Sequence, residues 1–428
     1  MAIRIDLPEQ IDILKRWSEL SMSVKDECCN AIIDIALRRR LSIDEICQLA
    51  FGLAMSGKIW KWNFEDSHIL DICSTGSPAS LSTLLSPLMA ATQGVLLTQL
   101  SVPGGIAGAI DTLGIIPDYK YNQTYNSIKN ILLENNVVFA LNSKELTPAD
   151  LHLFNIRNAR GAKDVPDLVI ASLLSKKIST GVNNFIIDVR VGPHGNFGKT
   201  YAEAMGNCEK LISTCKSLEM NCQCVLTSHF VSPMPYYGRA ESLTALFEII
   251  NGKVSNEWLL QHVNTSVEFA AAAVALVKGS RLEDARIALL RSLKEGKVRD
   301  ILIRNLNAQG SSLESLKKTI NEAKATNRMV VRTKVDGYFV GIDYKELQTL
   351  MKENYWYSES ESRPKSLVGL KLLIREGVQV RKGANMLEIR GAPETLSRYA
   401  KTIENIGLIS TNKPIDSGVP TYEVITFG

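Results

Sequence analysis

The chain reads as an α/β fold, with a helical part on its amino side and an α+β part on its carboxyl side. Three stretches carry that reading. Residues 68 to 91, HILDIC then STGSPAS then LSTLLSPLMAA, run strand, small-residue loop, helix, the opening unit of a parallel sheet. NNFIIDVRV at 183 to 191 is an almost unbroken apolar run, as a strand covered on both faces requires. From Arg328 the texture changes to strands parted by glycine turns, MVVRTKVDGYFVGI and VGLKLLIREGVQVRKGANMLEI.

The amino side comes first. Residues 8 to 62 read as three helices, with capping-box signatures at Ser23 to Asp26 and Ser42 to Glu45 and apolar spacing through Ile46, Leu49, Leu53 and Met55. After the first strand, the loop Ser74, Thr75, Gly76, Ser77 opens a helix. Its backbone N–H groups could cradle an oxyanion at the positive helix end, with the hydroxyls of Ser80, Ser82 and Thr83 within reach. The same residues would also make an ordinary tight βα turn. Residues 124 to 141 read as a helix followed by the strand VVFAL.

The densest set of polar groups lies in TPADLHLFNIRNARGAKDVPDLVIASLLSKK, residues 147 to 177. Thr147 and Pro148 read as a helix start with Asp150 near the positive dipole end, Pro166 starts a second helix, and Gly181 ends it. Ser172 and Lys176 are four apart and share a helical face, a hydroxyl beside an ammonium. That spacing is also what a lysine pair complementing the macrodipole beside solvated serines would show. Further on, the strand at 183 to 191 empties into Gly192-Pro193-His194-Gly195. A histidine there sits where open α/β folds place ligand groups, though a surface histidine without a role fits as well. His229 follows the strand CQCVLTS, and helices are expected at 199 to 219, 255 to 277, 281 to 295 and 297 to 307, closed by NAQGSS.

Composition narrows the classes. With 428 residues and 45% hydrophobic content the chain can build two or three domains around a large core. Lys and Arg number 49 against 45 Asp and Glu, a net +4 that argues against nucleic-acid binding by bulk charge. The eight cysteines show no paired CxxC spacing, so neither zinc nor a disulfide framework is indicated and a reducing cytoplasm is the expected setting. No run of about 18 apolar residues suggests a membrane span.

The stretch LTPAD at 146 to 150, followed by Arg157, Ser172 and SKK at 175 to 177, resembles the thymidine and pyrimidine-nucleoside phosphorylases. The resemblance implies that Arg157, Ser172 and Lys176 hold a pyrimidine base. It also implies a phosphate-binding set of Ser74, Thr75, Gly76, Ser77, Thr83 and Ser101. Here the chain departs from the family, which has Lys-His before Ser-Thr-Gly where this chain has Ile72 and Cys73, and a threonine where it has Ala109. Cys73, in the histidine's place, and His194, extra in the later loop, are therefore the candidates for the catalytic role. The resemblance further implies a helical domain of residues 1–66 and 147–180, an α/β domain of 67–146 and 181–327, and a carboxyl-terminal lobe of 328–428, the nucleoside phosphorylase and phosphoribosyltransferase-like arrangement, working as a homodimer.

The expected function is that of a pentosyltransferase acting on the N-glycosidic bond of a pyrimidine nucleoside or nucleotide. It would need no cofactor, phosphate or a phosphorylated sugar being the co-substrate. A non-catalytic binder of a base or nucleoside is the second expectation. A phosphoribosyltransferase using a diphosphorylated sugar and magnesium is the third, although no acidic pair is spaced for the metal.

Overall fold

The structure is a computed structural model, and it describes residues 6–62, 69–76, 80–101, 106, 108–142, 145–193, 195, 197–352, 367–413 and 421–425. Five parallel strands form its centre: β1 (Ile69–Ser74), β2 (Leu96–Ser101), β3 (Val137–Leu141), β4 (Asn184–Val191) and β5 (Asn221–Ser228), in the spatial order β5, β4, β1, β2, β3. Every residue of β4 is buried, which explains its apolar character. Alternation sends Ile186, Asp188 and Arg190 of β4 to one face, and Phe185, Ile187 and Val189 to the other.

The amino-terminal helices are α1 (Leu7–Lys15), α2 (Met22–Arg38) and α3 (Ile43–Met55). Ser42 and Glu45 form the expected capping box, but α2 is capped by Ser21 rather than Ser23, whose hydroxyl bonds Glu27 instead. Next come α4 (Ser82–Ala91), α5 (Ala109–Leu113), α6 (Tyr125–Asn135), α7 (Pro148–Ala159), α8 (Pro166–Thr180) and α9 (Tyr201–Ser217). One apolar core joins α1, α2, α3, α7 and α8 to α9 and to the Phe185 face of the sheet. The opposite face is covered by α4, α10 (Arg239–Ile250), α11 (Glu257–Lys278), α12 (Leu282–Lys294) and α13 (Lys297–Ala308).

The chain passes between its helical part and the sheet through three segments that touch one another. Lys58 N–H donates to Glu145 O at 2.8 Å, Trp60 N–H to Ser179 O at 2.8 Å and the Trp62 indole to Thr180 O at 2.8 Å. Gly57 makes this possible, since a Cβ there would stand 2.3 Å from Glu145 O. Trp60, Trp62 and Tyr125 pack their rings across the junction, with centroids 5.2 to 5.9 Å apart.

Two features of the carboxyl side differ from the expectation. A further helix, α14 (Leu313–Lys324), follows the Gln309 turn, with Leu316, Ile320 and Ala323 on its buried stripe. The lobe is also laced into the α/β part rather than appended to it. Its strands are β7 (Asn327–Arg332), β8 (Gly337–Ile342), β9 (Gly369–Leu372), β10 (Gln379–Val380), β11 (Asn385–Gly391) and β12 (Gly407–Ser410), with helices at 344–352, 393–398 and 400–405. Ahead of them β6 (Tyr236–Tyr237) crosses over to pair with β9, and β13 (Tyr422–Ile425) returns to pair antiparallel with β5 at the edge of the central sheet. A buried ion pair, Glu241 of α10 with Arg390 of β11, joins the two parts, and Gly369 leaves the space that the Glu241 side chain fills.

Candidate functional site

The helical hairpin α7–α8 brings two of the sequence-predicted base-site residues into direct contact. Pro148 and Pro166 sit at the helix starts as expected, although Thr147 makes no side-chain cap bond. Ser172 and Lys176 lie one turn apart, and the Lys176 ammonium donates to Ser172 Oγ at 2.9 Å and to Ser172 O at 3.0 Å. Its third partner is the Asp150 carboxylate of α7, itself 1% exposed. All three ammonium hydrogens are thus engaged, while the Ser172 hydroxyl, which accepts from Lys176, keeps its own hydrogen to give. A hydroxyl that accepts from a cation is polarised and becomes a stronger donor.

Arg157 is placed differently from a residue that presents its fork to a cleft. It is 2% exposed, and it donates to Ala162 O at 3.4 Å, Leu168 O at 3.2 Å and Lys163 O at 2.7 Å, stapling the turn between α7 and α8. One hydrogen remains on each terminal nitrogen for another acceptor. Burial pulls its pKa down, and the carboxylates of Asp150 and Asp164 pull it back up.

Lys177, next on the helix, turns toward the sheet and pairs with Asp71 of β1, both nearly sealed from solvent. Cys73 lies on the same face of β1. Its thiol donates weakly to Ile186 O at 3.6 Å, and burial pushes its pKa up to about 12 against the pull of the Lys177 ammonium. The thiol is therefore neutral, a poor nucleophile and a poor acid at neutral pH. Ile72 points to the opposite face and is fully buried in the core beneath α4.

The anion loop is more tied down than its sequence suggests. Thr75 gives its N–H to Asp188 O at 3.0 Å, and its hydroxyl oxygen accepts the Arg190 N–H at 3.0 Å, so both serve the junction with β4. Gly76 takes the left-handed conformation at φ 90° and is exposed. Ser74 and Ser101 end β1 and β2, and Thr83 lies in the first turn of α4, all three half-buried. They therefore gather at the carboxyl edge of the parallel sheet, where open α/β folds bind ligands. Ser77 and His194 lie outside the described residues.

Beneath that edge sits a charged cluster that sequence reasoning missed. Asp188 accepts from Thr227 Oγ1, Ser82 Oγ and Arg190 Nε, each at 2.7 Å, and Arg190 Nη2 donates to Ser82 Oγ at 3.0 Å. Burial pushes the Asp188 pKa up, but the Arg190 charge, the His229 imidazole and the two hydroxyls bring it below the usual carboxylate range. His229 and His262 stand beside this pair. Burial, reinforced by the Arg190 charge, lowers His229 to about 3, and burial lowers His262 to about 4, so both rings are neutral. Asp188 lies within the strand expected at 183 to 191, but nothing local to it pointed to Ser82, more than a hundred positions away.

No family model matches the chain. It is similar to the thymidine phosphorylase of Burkholderia lata, 27% identical over 277 residues that take in 63% of this chain and 62% of that protein. It is also similar to the pyrimidine-nucleoside phosphorylase of Geobacillus stearothermophilus, 24% identical over 395 residues, 91% of this chain and 89% of that one. Among solved structures, anthranilate phosphoribosyltransferase from Thermus thermophilus superposes with a TM-score of 0.55 at 13% identity, covering 71% of this chain and 95% of that one. The Saccharomyces cerevisiae anthranilate phosphoribosyltransferase gives a TM-score of 0.53 at 14% identity, covering 72% of this chain and 94% of its own. These neighbours share the fold.

Proposed function

We propose that this chain, a divergent relative of the thymidine and pyrimidine-nucleoside phosphorylases, is a pentosyltransferase acting on the N-glycosidic bond of a pyrimidine nucleoside or nucleotide. The observation that carries the reading is the Ser172 hydroxyl polarised by Lys176 on α8, with Asp150 fixing the ammonium from α7. In such a transfer, a phosphate-type oxygen bonds to the anomeric carbon as the carbon–nitrogen bond breaks, and the bonding pair leaves on the pyrimidine. Negative charge then spreads onto the ring nitrogen and carbonyl oxygens. Ser172 as donor, with the Lys176 and Arg157 charges behind it, suits that leaving group. Phosphate, or the phosphate of a sugar, would be met at Ser74, Gly76, Thr83 and Ser101. A base-and-nucleoside binder without turnover is the second reading, and one observation favours it: the positions of the family's lysine and histidine hold a core isoleucine and a neutral thiol.

A panel of uridine, 2′-deoxyuridine and thymidine, with and without phosphate and read by release of free base, separates the two readings. Base release that needs phosphate supports transfer, and binding without release supports the second reading. Lys176→Ala is expected to weaken binding of uracil or its nucleosides by about tenfold or more, as loss of a charge-assisted donor does. Calorimetry that finds equal affinity in wild type and variant would place the base elsewhere.

A further inference from the structure

α4 begins without a side-chain cap of its own, because its N-cap is Leu81, which has no acceptor to offer. In contrast α2, α3, α6, α9 and α11 each begin with a Ser, Thr or Asn that bonds its own first turn. The N–H of that N-cap residue is held from another helix. His262 of α11 accepts the Leu81 N–H at 2.8 Å through Nε2. Ser80 Oγ takes the Ser82 N–H at 3.1 Å, and Ser82 Oγ is clasped between Asp188 and Arg190. The amino end of the helix is thus held by α11, by β4 and by Ser80 just ahead of it.

The bond to Leu81 fixes the state of the imidazole: Nε2 accepts, so the proton of the neutral ring is on Nδ1. His262 is 3% exposed, and Nδ1 has no hydrogen-bond partner among the described residues. A leucine would fill such a place without stranding an N–H. The ring therefore serves through the bond that it does make. Its electrostatic neighbours, Asp188, Arg190 and His229, belong to the cluster under the carboxyl edge of the sheet. Thr83, the half-buried hydroxyl of the anion loop, lies one residue beyond Ser82 on the held turn.

We infer that His262 is a positioning residue for the phosphate-type co-substrate. It fixes the amino end of α4, and with it Thr83, whose hydroxyl would meet the anion. The inference rests on the proposed transferase reading and adds to it a residue that touches neither base nor sugar. His262→Leu removes the acceptor, whereas His262→Gln keeps an amide oxygen close to the Nε2 position. Ser82→Ala loosens the same turn from the Asp188 side.

The test is calorimetry on the full chain with three probes, inorganic phosphate, 2-deoxyribose 1-phosphate and uracil. His262→Leu is expected to bind the phosphate probes about tenfold or more weakly while its uracil affinity stays within about twofold. His262→Gln should recover most of the loss, and Ser82→Ala should shift phosphate binding in the same direction as leucine. Loss confined to the sugar phosphate assigns the ligand as a phosphorylated pentose; loss shared by both phosphate probes assigns the phosphate group itself. Unchanged affinity for both phosphate probes in the leucine variant, losses for the phosphate probes matched by an equal loss for uracil, or a glutamine variant no better than leucine overturns the inference. Wild type that binds uracil but neither phosphate probe also overturns it and leaves the base site standing. Binding of no probe at all removes both readings.

Discussion

His262 is buried and His229 half-buried, both as neutral rings, and that state has a cost in acid. Their folded pKa values, about 4 and about 3, lie below the ordinary histidine value of 6.5. The unfolded chain therefore binds protons first, and the stability these rings hold above pH 6.5 is lost as pH falls toward 4. For His262, 3% exposed, the shift corresponds to up to about 3 kcal/mol. The melting temperature should drop across that window, and His262→Gln should flatten the drop; an identical profile in the variant would show that the ring is not what titrates. The contact of Ser172 with Lys176 was legible at this scale because the two are one helical turn apart. Asp150 was not, because its contact with Lys176 spans 26 positions and a hairpin turn. In sequence Asp150 looked like a dipole complement, and only the packing of α7 on α8 makes it the partner of the ammonium. Arg157 shows the converse, since its type and position were readable but its three carbonyl partners were not.

Among the elements, helices announced themselves best where a cap and an apolar stripe agreed, as for α3 and α6. α14 was passed over because the turn at Gln309 looked like an end, although its stripe at Leu316, Ile320 and Ala323 has helical spacing. The three linking segments around Gly57, Leu146 and Gly181 are the elements that any closing motion would turn on. They are stapled to one another by backbone bonds and by the Trp60, Trp62 and Tyr125 rings. Uracil with phosphate is expected to contract the radius of gyration in small-angle scattering, as loop-borne hinges allow. Gly57→Ala should blunt that contraction, because its Cβ would stand 2.3 Å from Glu145 O and push the segments apart. Equal contraction in the variant would put the hinge elsewhere.

At the scale of the whole molecule, the parallel α/β character was readable from strand, loop and helix alternation, but the order of the central strands and the lacing of the lobe were not. A two-residue strand such as β6 and a four-residue strand such as β13 carry no local signal of a partner so distant in sequence. β13 covers the outer edge of β5, and Glu423 within it accepts from the Tyr201 hydroxyl at 2.8 Å. Ending the chain before Thr421 should expose that edge and promote aggregation, visible as light scattering below the melting temperature. A truncated protein that stays dispersed and melts as the full chain does would show that β13 is dispensable. The same strand bears on biosynthesis. On the ribosome β5 emerges long before the segment that will cover it, so the nascent sheet carries an open backbone edge while the lobe is still being made. Chaperone dependence should then be set by the time taken to translate the lobe, and slow codons between β5 and β13 would lengthen the most vulnerable interval in the life of the chain.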